Sequence, residues 1–205
     1  MKFKNKLISN FALTLLMLFP LVTPAVDYSE FATMPAVGND GLSFDQEGNL
    51  YVSNIKINLS GTEIYKIDAG GGISIAASNL TGPLGTDFDS LGNLYVANYN
   101  SGVITKITPE GVVSTLAGST QGSADGTGST AQFNNPISVA VDGSGNVYVA
   151  DETNHNIRKI TPGGEVSTLA GSTSGFADGV GTMARFSSPT GVAVDGVGNV
   201  FVADS

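Results

Sequence analysis

Asp142-Gly-Ser-Gly-Asn-Val-Tyr-Val-Ala-Asp151 recurs almost unchanged along this chain of 205 residues. Its copies are Asp89-Ser-Leu-Gly-Asn-Leu-Tyr-Val-Ala-Asn98 and Asp195-Gly-Val-Gly-Asn-Val-Phe-Val-Ala-Asp204. A weaker copy is Asp45-Gln-Glu-Gly-Asn-Leu-Tyr-Val-Ser-Asn54. The leading aspartates stand at 45, 89, 142 and 195, giving spacings of 44, 53 and 53. Repetition on that scale marks an array of equivalent structural units. Within each copy a short apolar run, such as Val139-Ala-Val141, precedes Asp-x-x-Gly-Asn and then Val/Leu-Tyr/Phe-Val. Glycine admits positive φ, and Asp and Asn bond their own backbone, so the centre of each copy reads as a hairpin turn between two strands. Small and β-branched residues without strict alternation predict strands buried on both faces.

Third strands are expected at Ile64–Ile67, Val103–Ile107 and Ile157–Ile160. Fourth strands follow at Ile73–Ile75, Val112–Leu116 and Val166–Leu169. The turns Thr108-Pro-Glu-Gly111 and Thr161-Pro-Gly-Gly164 carry Pro and Gly where a hairpin requires them. Four short antiparallel strands per unit predict an all-β protein, a β-propeller of four-stranded blades with about three and a half blades present. The repeats run over 41–83, 84–136 and 137–189, with a partial fourth at 190–205. The shorter first spacing comes from loop lengths rather than from a different core.

Residues 1–25 read as an export signal. Lys2, Lys4 and Lys6 precede an apolar run from Phe11 to Val22, and small residues end it at Thr23-Pro-Ala25. That run is short for a membrane span, which takes about 20 residues, and an uncleaved anchor is the alternative. No further spanning segment follows, so the expected location is secreted, periplasmic or cell-surface, with no membrane contact beyond the signal. The chain has no cysteine, hence no disulfides. Beyond residue 25 it carries 6 basic against 18 acidic residues, a surface that repels nucleic acid and anionic lipid. Residues 26–40 include Glu30-Phe-Ala-Thr-Met34, similar to Glu165-Val-Ser-Thr-Leu169, and read as an isolated outer strand able to close a ring. Closure needs a neighbour on both sides of every blade. The expectation is therefore a longer protein, with a four-bladed ring or an assembly of short chains as alternatives.

Pro136-Ile-Ser-Val-Ala-Val-Asp142, Gly145-Asn-Val-Tyr-Val-Ala-Asp151 and Asn154-His-Asn-Ile-Arg-Lys-Ile160 closely resemble the NHL repeat. So does Gly179-Val-Gly-Thr-Met-Ala-Arg-Phe186 with Pro189-Thr-Gly-Val-Ala-Val-Asp195. The resemblance covers roughly 40–205 and implies a propeller used to bind proteins or other ligands. Its relatives include peptide-amidating lyases and, more distantly, gluconolactonase-like hydrolases. Asn98-Tyr-Asn-Ser-Gly102 departs from it by lacking the Asn-His pair.

Long and variable segments fall on the face that carries blade-to-blade loops and the loops between strands two and three. Binding residues favour such loops on a rigid scaffold. The binding-face candidates are Asp87, Asn98, Asp151, His155 and Asp204. Asn54, Asn98, Asp151 and Asp204 are equivalent and could converge on Ca²⁺; the plainer expectation is that they accept hydrogen bonds from loop backbone. Asp87 stands where other repeats have Ser43, Ala140 and Ala193. It is either a ligand group in a cavity or the acceptor of a structural bond. Asp125 and Asp178 open Asp-Gly-x-Gly-x-x-Ala-x-Phe and read as caps of a short helical turn, with Phe133 and Phe186 pinning the loop. The embedded glycines mimic a dinucleotide fingerprint, but no βαβ unit surrounds them. His155, the single histidine, has neither a nucleophile motif nor the extra His or Cys of a zinc site. Asn58-Leu-Ser60 and Asn79-Leu-Thr81 fit a glycosylation pattern. The expected function is a non-catalytic scaffold for a protein, glycan or small ligand, without a cofactor. The alternative is a metal-dependent lactonase-like hydrolase or lyase working in the channel.

Overall fold

A computed structural model describes residues 41–54 and 61–205. The signal at 1–25, the strand expected within 26–40, and Asn58 lie outside the described residues.

The described chain is all-β. The first blade comprises β1 (Leu42–Phe44), β2 (Leu50–Asn54), β3 (Glu63–Ile67) and β4 (Ile73–Ala77). The second comprises β5 (Pro83–Phe88), β6 (Leu94–Asn98), β7 (Val103–Ile107) and β8 (Val113–Gly118). After β9 (Gly126–Thr127) comes the third blade, β10 (Pro136–Val141), β11 (Val147–Asp151), β12 (Asn156–Ile160) and β13 (Glu165–Gly171). β14 (Gly191–Val194) and β15 (Val200–Ala203) begin a fourth. Within each blade, neighbours in sequence are neighbours in the sheet, and all pairs are antiparallel.

One element departs from the four-stranded expectation. β9, drawn from the loop that leaves blade two, pairs with β13 as a fifth, outer strand of blade three. Glu165 faces Thr127 and Val166 faces Gly126 in this short ladder.

The turn motif explains itself in atoms. In the third repeat Asp142 Oδ1 accepts the N–H groups of Ser144 and Asn146, each at 2.9 Å. Asn146 Nδ2 donates to Asp142 Oδ2 at 2.8 Å, and Tyr148 Oη donates to the same oxygen at 3.1 Å. Gly145 takes φ 79°, a left-handed conformation that costs glycine little. Asp45, Asp89 and Asp195 bind their own turns in the same way.

First strands of successive blades lie against one another. Ser43 Oγ and Thr86 Oγ1 share a 3.0 Å hydrogen bond across β1 and β5. Val192 N donates to Ser138 Oγ at 3.2 Å across β14 and β10. Gly85 fits so closely against β10 that a Cβ there would stand 2.6 Å from Ser138 Cα. Fourth strands are the exposed ones: Ile73, Ile75 and Val113 of β4 and β8 face solvent. The second strands of blades two and three are the most buried: every residue of β6 and β11 is buried. Between blades two and three sits a core of Tyr95, Ile104, Phe133, Val147, Val149 and Ile160. Between blades one and two lie Ile64, Leu80, Leu94, Val96 and Ile107.

Candidate functional site

In blades two, three and four the polar residue that ends the second strand holds the loop arriving from the previous blade. Asn98 Oδ1 accepts Thr81 N–H at 3.2 Å, and Asn98 Nδ2 donates to Thr105 Oγ1 at 2.8 Å. Asp151 Oδ1 accepts Asn134 N–H at 2.7 Å. Asp204 accepts Ser187 N–H at 2.8 Å and 3.0 Å through its two oxygens. The same bond thus recurs one repeat apart: a backbone N–H just before the new blade, satisfied by a strand-end oxygen. Among the described residues no hydrogen bond joins any two of these side chains, so the structure spreads them over three blades. No group of three or more His, Cys, Asp or Glu able to hold a metal ion occurs among the described residues.

Asp151 does more than its equivalents, through a residue that the sequence reading missed. Arg158 on β12 is completely buried. Its Nη1 donates to Asp151 Oδ2 at 3.0 Å and to the Gln132 carbonyl at 2.8 Å. Its Nη2 donates to Asp125 Oδ1 at 2.6 Å and to the Ala124 carbonyl at 3.1 Å. The guanidinium lies over the Phe133 ring, 5.2 Å from its centroid. Burying a cation is costly unless several acceptors surround it, and here the loop supplies them. Burial pushes the Asp151 carboxyl up to about 6, against the Asn154 amide, the Asn134 N–H and the Arg158 charge.

The expectation for Asp125 is corrected accordingly. The 3₁₀ turn in this loop is Gly128–Thr130, and its N-cap is Thr127. Asp125 stands before it and spends its oxygen on Arg158 and on Thr168 Oγ1 at 3.1 Å. Asp178 likewise precedes its own 3₁₀ turn, Gly181–Met183, whose N-cap is Val180. Phe133 does pin its loop, fully buried in the core between blades.

Asp87 joins two blades. Its Oδ2 accepts Val141 N–H from β10 at 2.7 Å, and its Oδ1 accepts Phe88 N–H at 2.9 Å. Burial raises its carboxyl above the ordinary range, with those two donors pulling the other way. Of its two sequence readings, the structure carries the interblade bond. His155 adopts φ 54°, and its Nδ1 accepts Ser188 N–H at 3.0 Å. That bond puts a neutral imidazole's proton on Nε2.

These contacts lace the long loops into one belt across the blades. Tyr99 N–H donates to Gly82, and Asn135 Nδ2 donates to the Tyr99 carbonyl at 3.3 Å. Thr153 Oγ1 donates to Asn135 Oδ1 at 3.0 Å, and Asn154 Nδ2 reaches the Gly122 carbonyl at 2.7 Å. His155 and Ser188 extend the belt to blade four. The half-buried Tyr99 has its phenol raised by burial and by neighbouring Glu152, whose Oε2 is buried without a partner. Gln121 and Thr153 are exposed beside them.

Comparison with known proteins now gives the repeat its family. The family model for the NHL repeat matches residues 133–160, from the buried Phe133 to the end of β12. Residues 133–160 are an NHL repeat. An 86-residue stretch is 38% identical to the Protein SUPPRESSOR OF QUENCHING 1, chloroplastic, of Arabidopsis thaliana, covering 41% of this chain and 8% of that protein. A Bacteroides thetaiotaomicron protein of unknown function superposes with a TM-score of 0.69 at 24% identity, over 80% of this chain and 44% of the other. An auxiliary nutrient binding protein from the same organism gives 0.68 at 22%, over 80% and 44%. These structural likenesses show a propeller-type fold of four-stranded antiparallel blades. The chain spans less than half the length of each of these relatives.

Proposed function

We propose that this NHL-repeat chain is an exported binding scaffold that engages a protein, glycan or small ligand through its belt of blade-connecting loops. The observation that carries the reading is the belt itself. Loops that vary between repeats are tied to one another and to rigid strands, which lowers the ordering cost of binding. Kinship of fold with an auxiliary nutrient binding protein supports a ligand-binding role. The basic start and apolar run of residues 1–25 support export, and no helix among the described residues is long and apolar enough to cross a membrane.

The test is a binding screen against soluble saccharides and peptides. It compares the chain with a Tyr99→Ala, Gln121→Ala, Thr153→Ala variant of equal melting temperature. A ligand of the native chain should lose at least tenfold in affinity for the variant. Undiminished binding by the variant overturns the reading.

A further inference from the structure

A carboxylate, a tyrosine and a lysine come together once in each of the first three blades. Lys106 Nζ lies 5.7 Å from the centroid of the Tyr95 ring, and Tyr95 Oη donates to Asp89 Oδ2 at 3.0 Å. Lys159, Tyr148 and Asp142 repeat the arrangement at 5.7 Å and 3.1 Å. In the first blade Lys66 Nζ lies 5.5 Å from the Tyr51 centroid and 3.7 Å from Asp45 Oδ2. The negative ring face and the carboxylate charge attract the same ammonium.

Tyr99 and Glu152 make a further carboxylate–tyrosine pair, without a lysine. They are equivalent residues 53 apart, each directly after the polar residue that ends a second strand. Asn98 and Asp151 do the same work in both blades, whereas the residue that follows differs in kind. The pair sits at the junction of blades two and three, each of which has its four strands. Asn135 ties its two halves together, bonding the Tyr99 carbonyl and the Thr153 hydroxyl. The Tyr99 phenol hydrogen-bonds Glu152, and it is raised by burial and by that carboxylate.

Glu152 still keeps one acceptor unused. Its Oε2 is buried without a hydrogen-bond partner, and Glu152 forms no ion pair among the described residues. In the comparable Glu63–Tyr65 pair, Glu63 Oε2 accepts Tyr65 Oη at 2.7 Å and Asn54 Nδ2 at 3.3 Å. Asn156, 6% exposed at the far end of the same loop, also has an unpartnered Oδ1. The loop between β11 and β12 thus offers acceptors at both ends. A buried carboxylate oxygen without a donor is costly, and a charged donor satisfies it best. The chain's own described cations are engaged elsewhere: three lysines over their tyrosines, Arg158 in its cradle, and Arg185 in the loop after blade three.

We propose that the ligand of the loop belt carries a primary ammonium group, which Glu152 and Tyr99 bind at the junction of blades two and three. This rests on the belt reading above and names the chemistry of its ligand. The ammonium takes the place that a lysine occupies beside Tyr95 and Tyr148. The chain's net charge of −9 draws a cation towards it. Exposed Gln121 and Thr153 add neutral polar contacts beside the charge.

Two matched pairs of probes test this on the full chain by calorimetric titration. One is a glucosamine tetramer against its N-acetylated form, and the other is trilysine against trilysine acetylated on its side chains. In at least one pair the ammonium form should bind at least tenfold more tightly, and its affinity should fall as salt is raised. The pair that responds tells whether a sugar or a peptide presents the ammonium. Glu152→Gln keeps the shape of the side chain and should erase the preference between the two forms. A merely structural Glu152 would change the melting temperature and leave the preference in place. Equal binding within both pairs, a preference that survives Glu152→Gln, or no binding of any probe overturns the proposal. A neutral ligand that loses affinity for the belt variant, but not for Glu152→Gln, overturns the ammonium site and leaves the belt reading standing. Ammonium binding that Glu152→Gln abolishes and a Gln121→Ala, Thr153→Ala variant retains in full supports the ammonium site and overturns the belt reading alone.

Discussion

At the scale of single residues, the chain spends its carboxylates on structure. Arg158→Ala removes one donor each from Asp151, Asp125 and two carbonyls, and the expected loss is about 3–5 kcal/mol, read from the urea midpoint. Lysine at that position restores a charge but cannot span four acceptors, so it recovers only part. The carboxylates also set an acid response. In Asp89 and Asp142, burial is outweighed by the Asn amide, the backbone N–H donors and the tyrosine hydroxyl, and both sit below the ordinary range. Their contribution is present above the unfolded value of about 3.9 and is lost as pH falls through the lowered values. Asp151, at about 6, and Asp87, also raised, act in the opposite sense. When folded they take up protons that the unfolded chain still leaves off, so their contribution grows as pH falls from 7 towards 4. Calorimetry from pH 3 to 8 should show maximal stability between about pH 4 and 6 and a steep fall below it.

At the scale of elements, what could be read from sequence was what is local. Asp-x-x-Gly-Asn declares its hairpin because every bond it makes lies within six residues. The strands follow, and the register places Asp87 opposite Tyr95 as Ala140 stands opposite Tyr148. The function of Arg158 was hidden because its partner Asp125 lies 33 residues away and belongs to the preceding repeat. β9 was hidden because two residues carry no periodicity, and its pairing depends on a strand of the next blade. At Asn98, Asp151 and Asp204, polarity at a strand end does not by itself distinguish a ligand group from a backbone acceptor. Close strand packing gives a further prediction. Gly85→Ala drives a methyl into the β10 backbone and should cost about 1–3 kcal/mol, with Gly143→Ala, which meets nothing within 4 Å, as the near-neutral control. Equilibrium unfolding of the two variants decides it.

At the scale of the whole molecule, order should grade from the second strands outward. β6 and β11 are buried throughout, whereas the outer strands β4 and β8 expose Ile73, Ile75 and Val113. Amide exchange should therefore be slowest in β6 and β11 and faster in β4 and β8, by several orders of magnitude. Equal protection in all four would contradict this grading. The outer clasp formed by β9 has a mechanical corollary. Since blade three wears a strand that is covalently part of the preceding repeat, tension on the chain must peel that strand from β13 before the second and third sheets can separate. Stretched between its ends in an optical trap, the protein should release those two sheets in one event, and severing the polypeptide between Thr127 and Gly128 should split it into two.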